Sequence, residues 1–248
     1  MNQSAHSIII PCAGKSSRFN SMIPKPLAKI NGEVSLNILL SVVVTLFDQI
    51  ISPIPPGSDM LKLFERSIDK MYLEKVKLVV SKPGIGDGGA ILDGMKHLQT
   101  QEDHFFVCWG DTYIVNKSIF IDLDQFAQSD DYNSFAYIPL VYLNNPYVRY
   151  ILDENNFILD TQQSIDGYSL KSGYADQSIF MLSKNIDKFL KTSSSTVTSS
   201  TLDSSEISLL RSFKFMASKK LKLKSMLRKS KDSLAFNTKK DLAVIEKL

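Results

Sequence analysis

The sequence predicts an α/β protein of three layers, with helices on both faces of a mixed central sheet. Three observations carry that prediction. Through roughly the first 110 residues, apolar runs of strand length alternate with amphipathic stretches of helix length. The glycine-bearing loops follow strands, which gathers them at the carboxyl edge of the sheet, where open α/β folds bind ligands. The second half then changes to strands joined by turns, the pattern of antiparallel pairing.

Residues 7–12 are continuously apolar, as befits a strand buried on both faces, and residues 13–26 form a loop. Ser35 opens an amphipathic helix reaching about Phe47. "IISPIPPGSD" reads as a strand and a turn, and Ser58 or Asp59 caps a second helix extending to about Tyr72. Met60, Leu63, Phe64 and Ile68 share one of its faces. Val76 to Val80 is a strand, "SKPGIGDGGAILDGMKHL" a glycine-rich turn feeding a helix, and "HFFVCWGD" a strand ending on Gly110-Asp111. "SFAYIPLVYL", "YVRYILDENNFILD" and "YADQSIFML" follow as antiparallel strands, with a turn at residues 153–156. A Ser/Thr-rich loop then leads into a helix for which Asp203 and Glu206 have the spacing of a capping box. "AFNTKKDLAVIEKL" is a short strand, a capping Thr238 and a closing helix. We expect a single domain over residues 1–248, with a nucleotide-binding half up to about residue 115 and an acceptor-binding half from about 116.

The bulk properties exclude several classes. At 248 residues, 44% apolar and 22% charged, the composition is that of a soluble globular protein. The opening "MNQSAHSIII" has no signal-peptide pattern. The longest apolar run, "LNILLSVVVTLF", falls short of the roughly 20 residues a bilayer requires. A cytoplasmic location without membrane insertion is therefore expected. Cys12 and Cys108 sit in apolar runs without CxxC spacing and read as buried free thiols, and His6, His97 and His104 form no ligand pattern. A net charge of +3 makes no case for nucleic acid. The basic run "KKLKLKSMLRKSK", residues 219–231, fits either an anion-binding patch or a lysine-lined edge strand, and its period-two alternation favours the strand.

"SIIIPCAGKSSRFNSMIPKPL" contains Gly14-Lys15-Ser16, the tail of a P-loop. The first glycine of that motif would have to stand at position 9. Ile9 occupies it, inside the strand, where a β-branched residue cannot make the turn. A P-loop kinase is thereby disfavoured, although "HFFVCWGD" has the form of a Walker B strand.

"CAGKSSRF" followed by "PKPL" resembles the N-terminal signature of the sugar-phosphate nucleotidyltransferases, with Gly14, Arg18 and Lys25 matching and Ser16 replacing the middle glycine. "GDGGA" resembles that family's second glycine-rich segment, "WGDTY" its Gly-Asp metal motif, "DGYSLKSGYADQSIFML" its acceptor-side glycine and following strand, and "FNTKKDL" its closing Asn-Thr segment. These segments keep the family order from residue 7 to residue 242. The resemblance implies a Rossmann-like three-layer α/β/α fold of the nucleotide-diphospho-sugar transferase type. It also implies a Mg²⁺-dependent enzyme joining a nucleoside triphosphate to a phosphorylated small-molecule acceptor, a sugar 1-phosphate, for polysaccharide synthesis.

In that chemistry an acceptor phosphate oxygen attacks the α-phosphorus and pyrophosphate leaves, so positioning and cationic stabilisation carry the catalysis. Backbone amides of Ala13, Gly14, Lys15, Ser16 and Ser17 face the triphosphate, and Arg18 clamps its outer phosphates. Lys25 reaches the α-phosphate, and Gly86, Asp87 and Gly88 lie against the base. Asp111 and Asn237 offer hard oxygens to Mg²⁺. Lys171 or Lys15 meets the acceptor phosphate beside Gly173. Each has a plainer alternative: Asp87 as a helix cap, Asn237 as a turn residue before Thr238, Gly173 as a bend, and Trp109 as core. Asp87 replaces the family's usual Thr and an acidic-basic pair near the acceptor is absent, so base and acceptor stay open. The rival readings are a cytidylyltransferase for a small phosphorylated alcohol such as phosphocholine and a non-catalytic nucleotide sensor on the same fold. No repeat segment follows the closing helix, so no appended acyltransferase is expected.

Overall fold

The structure, a computed structural model, describes residues 6–14, 19, 23–99, 102–193 and 206–248. Its first half runs β1 (Ser7–Ile9), a small hairpin β2 (Lys29–Ile30) and β3 (Glu33–Val34), α1 (Ser35–Val43) and β4 (Gln49–Ile54). Next come α2 (Ser58–Ser67), α3 (Lys70–Leu73), β5 (Val76–Val80), α4 (Gly86–Met95) and β6 (His104–Cys108). The second half contains β7 (Thr112–Ile114), α5 (Ser118–Gln128), β8 (Ala136–Asn144), β9 (Val148–Leu152) and β10 (Ile158–Gln163). It ends with β11 (Ser172–Asp176), β12 (Ile179–Ser183), α6 (Asp187–Ser193), α7 (Leu209–Ser218), β13 (Leu223–Arg228), β14 (Ser233–Ala235) and α8 (Lys239–Ile245).

Among the described residues, ten strands share one sheet. β5, β4, β1 and β6 pair in parallel, as the alternating first half predicts. β12 then runs antiparallel to β6, and β8 antiparallel to β12, so the sheet is mixed. Successive side chains alternate between the faces. One face packs Ile8, Phe106, Cys108 and Tyr137 against α1, α2 and α5, and the other packs Ile9, Phe105, Val107 and Phe180 against α4, α6 and α7. That is the expected three-layer arrangement. Ile9 is fully buried and pairs with both Ile51 and Val107, so the position a P-loop would need for glycine lies inside the central strand.

Two expected elements are divided, each for a visible reason. The helix expected from Ser58 to Tyr72 breaks at Ile68, which is extended (ψ 132°) and buried. Buried Asn37 on α1 takes up the freed backbone groups, accepting from the Asp69 N–H at 3.1 Å and donating to the Ser67 carbonyl at 3.3 Å. "YADQSIFML" is cut at Gln177-Ser178, where Ser178 has φ +62°. Asp176 pairs with Leu140 and Met181 with Tyr137, so two extra residues bulge out between β11 and β12. Both strands follow one edge of β8, and β13 runs parallel along the other.

The basic run lies on and around β13. Lys224 meets Asp130 at 2.6 Å and crosses the Phe126 and Phe157 rings, while Arg228 bridges Asp122 and Asp232 at 2.7 Å each. These side chains stabilise a border strand, in line with the alternation. The N-cap of α7 is Ser208, which makes no side-chain cap bond, so the capping box expected from Asp203 and Glu206 is not what opens this helix. Asp203 lies outside the described residues. Thr238 forms a capping box with Asp241, as expected for the closing helix. No helix among the described residues is long and apolar enough to cross a membrane.

Both cysteines are free and buried. Burial pushes the Cys12 thiol up to about 12, against a hydrogen bond from Ser52 and with a smaller push from the Asp111 carboxylate, and burial likewise raises Cys108. Thiolate is the reactive form. A thiol-titrating disulfide reagent at pH 8 is expected to leave both cysteines unmodified in the native protein and to count two after denaturation.

Candidate active site

Three chain segments converge at the carboxyl edge of β1 and β6. The first leaves β1 through Pro11 and Cys12, whose N–H donates to Pro53 at 2.7 Å and keeps the segment in line with β4. The second is a single 3₁₀ turn, Lys25–Leu27, held between buried Pro24 and Pro26. The third leaves β6 as Trp109-Gly110-Asp111. Gly110 is the contact point of all three. A Cβ there would lie 2.5 Å from Cys12 Sγ and 3.1 Å from both the Pro11 carbonyl oxygen and Pro26 Cγ. Its own N–H donates to Pro11 at 3.2 Å. Glycine is required here by close approach.

That approach places Lys25 Nζ on Asp111 Oδ2, both side chains being 16% exposed. The ammonium also donates to Asn237 Oδ1 at 3.1 Å. Asn237 arrives through the ribbon in which β14 pairs antiparallel with β7, the Phe236 N–H donating to the Asp111 carbonyl at 3.2 Å. Phe236 is fully buried against Phe19, Ile30 and Ile245, which anchors this closing segment. Asn237 is also the turn residue before α8 that the plainer alternative supposes, its N–H donating to Asp241 at 2.9 Å while Thr238 caps the helix, and its side-chain oxygen in addition accepts from Lys25.

The oxygens of Asp111 and Asn237 thus gather around one cation, separated from Lys25 by 86 and 212 residues of chain. This donor set suits Mg²⁺, a hard ion that keeps several waters and binds one or two protein oxygens plus substrate phosphates. Among the described residues no group of three or more His, Cys, Asp or Glu forms a metal cage, so phosphate and water would have to complete the ion's octahedron. Asp111 and Asn237 would hold it.

The remaining candidates fall into three sets. Ala13 and Gly14 sit at the mouth of the opening loop, and a Cβ on Gly14 would meet nothing within 4 Å among the described residues. Lys15, Ser16, Ser17 and Arg18 lie outside the described residues. In the second glycine-rich segment, Gly86 (φ +73°) and Gly88 press on Ile207: added Cβ atoms would stand 2.4 Å and 2.6 Å from it. Asp87 Oδ1 accepts from its neighbour Gly88 at 2.6 Å and from the Leu209 N–H at 2.9 Å, so it caps the first turn of α7 as well as its own helix. These glycines therefore have a reason internal to the chain, the close seating of the segment before α7. On the acceptor side, the Lys171 side chain is exposed and its carbonyl accepts from Asn145 at 2.8 Å. Gly173 is buried at φ +153°, with Arg149 lying across it. Trp109 packs edge-on against Phe180 at 5.3 Å, a half-buried core residue as expected.

Sequence reasoning overlooked Arg149. Its signal is a lone arginine inside the otherwise apolar "YVRYIL".

A mixed α/β sheet with a lysine, a carboxylate and an amide converging at its carboxyl edge defines a class of phosphate-handling α/β proteins. The MobA-like NTP transferase domain matches residues 8–139, more than half of the chain, and the chain belongs to that family, a family of nucleotidyltransferases. It is 27% identical over 124 residues to the bifunctional protein GlmU of Parvibaculum lavamentivorans, a match covering 50% of this chain and 26% of that protein. The chain thus spans about a quarter of that relative's length. Among solved structures it resembles a UDP-glucose pyrophosphorylase complexed with UDP-glucose, at TM-score 0.76 and 16% identity, with 98% of this chain and 97% of that one covered. It also resembles HddC from Yersinia pseudotuberculosis complexed with GMP-PN, at TM-score 0.70 and 19% identity, with 98% of each chain covered. At those identities the likeness is one of fold, and it matches the mixed three-layer architecture described above.

A Gly110→Ala substitution forces a methyl group into the junction. It is expected to cost about 1–3 kcal/mol by overpacking, lowering Tm by roughly 2–12 °C in a chain of this size. Differential scanning calorimetry checks this, and an unchanged Tm would show that the junction yields without cost.

Proposed function

We propose that this protein is a Mg²⁺-dependent nucleotidyltransferase. It joins a nucleoside triphosphate to a sugar 1-phosphate and releases pyrophosphate, supplying a nucleotide-activated sugar for polysaccharide synthesis. The observation that carries the reading is the convergence of Lys25, Asp111 and Asn237 from three distant segments at the carboxyl edge of the sheet. A protein that merely senses nucleotides has no need to gather a carboxylate, an amide oxygen and an ammonium at one point.

In the reaction an oxygen of the acceptor phosphate forms a bond to the α-phosphorus, and the bond from that phosphorus to the bridging oxygen of the β-phosphate breaks. The nucleophile is already an anion, so no proton need be removed. Repulsion between two anions and charge growing on the leaving group dominate the barrier. Lys25 supplies positive charge where the α-phosphate is brought to the acceptor. Its flanking prolines restrict the backbone, so the charge is preorganised. When bound, Mg²⁺ neutralises phosphate oxygens and orients the triphosphate, held by Asp111 and Asn237. The amides of residues 13–17 and the Arg18 fork hold the β- and γ-phosphates, and Gly14, which carries no side chain, admits them closely. The base lies toward residues 86–88. The fold neighbours named above carry different nucleotides, so the base is a question for measurement.

A thermal-shift panel of ATP, CTP, GTP, UTP and dTTP with Mg²⁺ tests the reading. A triphosphate at 100 times its Kd is expected to add about 2.7 kcal/mol, a shift of roughly 5–11 °C for a chain of this size. The same nucleotide should shift Asp111→Ala far less. No shift with any triphosphate would sink the proposal. With substrates identified by pyrophosphate release, Lys25→Ala is expected to lower kcat by about 10²–10³. A near-normal kcat would remove Lys25 from the mechanism.

A further inference from the structure

Arg149 occupies a built position that nothing among the described residues completes. It lies half-buried on β9, and both Nε, at 3.1 Å, and Nη2 donate to the neutral amide oxygen of Gln162 on β10. Among the described residues no carboxylate stands within ion-pair distance of it. Arg211 and Arg228, by contrast, meet Asp166, Asp122 and Asp232. β11 makes room for its stem. A Cβ at Gly173 would lie 2.6 Å from Arg149 Cδ and 2.7 Å from Cγ, so a side chain is absent where the arginine crosses. A partly buried cation has given up hydration. With its stem seated on a glycine and one edge of its fork held by an amide, its remaining donors are presented to an anion from outside the chain.

Strand register places this cation. Met181 pairs with Phe106 on β6 and with Tyr137 on β8, so those residues stand at one level. β6 and β8 both run antiparallel to β12 and therefore in the same sense. Asp111 follows Phe106 by five residues, and Leu143, the partner of Gly173, follows Tyr137 by six. β6 ends at Cys108 and the chain turns at Gly110-Asp111, so Gly173 stands beyond the carboxyl end of β6, at the edge from which Asp111 leaves and on the neighbouring strand line. An even number of steps separates Leu143 from Tyr137, so both face the same side of the sheet. That side carries Phe106 and Cys108, and it is the side on which Gly110 closes against Cys12 and Pro26. Arg149 crosses the sheet on that face and at that edge.

We infer that Arg149 binds the phosphate of the acceptor, across the cleft from Lys25 and Asp111. The inference rests on the nucleotidyltransferase reading above and names the residue that receives its second substrate. Held there, the guanidinium offsets the negative charge of the attacking phosphate without touching the triphosphate. It takes the role the sequence suggested for Lys171 or Lys15. The ligand class is a phosphomonoester, recognised by its phosphate rather than by its organic part.

Methyl phosphate, which carries the phosphate and almost nothing else, is the probe. It is titrated by calorimetry into full-length protein saturated with Mg²⁺ and the α,β-methylene analogue of the nucleotide found in the thermal-shift panel, so that the triphosphate subsite is filled. Arg149→Gln is expected to weaken methyl phosphate binding at least tenfold, and Arg149→Lys, which keeps the charge but not the fork, by less. Gln162→Ala, which releases the held edge, should fall between wild type and Arg149→Gln. The Kd for the nucleotide analogue should stay within twofold of wild type in all three, which also reports that each variant is folded. Equal methyl phosphate affinity in wild type and Arg149→Gln, or no binding to wild type, overturns the assignment. A wild-type protein that binds no nucleotide fails at the earlier step, and removes the underlying reading together with this one.

Discussion

The architecture of the site depends on how closely three backbones approach at Gly110. With no side chain there, the end of β1, the Pro-Lys-Pro turn and the end of β6 pack in van der Waals contact. Everything polar in the site is hung from that junction. Asp111 is the next residue in the chain, Lys25 is the residue between the two prolines, and Asn237 is brought in by the ribbon that pairs with the strand after Asp111. The apolar contacts supply the stability and the polar groups use the positions that result.

The Lys25 ammonium beside Asp111 and Asn237 shows how such a site is kept folded with no substrate in it. Buried polar oxygens left unpaired are costly, and a carboxylate more so. An internal cation satisfies both groups, and it is the same cation that substrate phosphate would draw on. The prolines on either side keep its backbone from moving far, so a change of partner by the ammonium needs rotation of the side chain and little else. On β9, the Arg149 fork is held on Gln162, with a neutral amide as its partner. A neutral holder orients a guanidinium without spending its charge.

The glycine-rich segment at residues 86–90 shows why a motif and a ligand are not the same thing. Gly86 and Gly88 are small because Ile207 lies against them, Gly89 because Ile85 does, and Gly94 because Ile9 does. Asp87 joins the starts of two helices through two backbone N–H groups. Each is a packing requirement between elements far apart in sequence. No reading of local spacing distinguishes it from a requirement set by a nucleotide.

Strand and helix identity, the three layers, the burial of Ile9 and the capping of the last helix were legible because each is set by local periodicity or by a cap a few residues long. Lys25 and Asp111 were legible as well, since prolines and a strand-terminal Gly-Asp mark them in the chain. Other features required the tertiary structure. The helix break at Ile68 is paid for by Asn37 on another helix, and the bulge at Gln177-Ser178 follows from β11 and β12 sharing one edge of β8. Arg149 becomes informative once Gly173 is seen beneath it and, among the described residues, no carboxylate beside it. Sequence by itself determined the elements, because their causes act within a few residues; the fold alone decided which charges are compensated, because compensation depends on partners that only packing brings together.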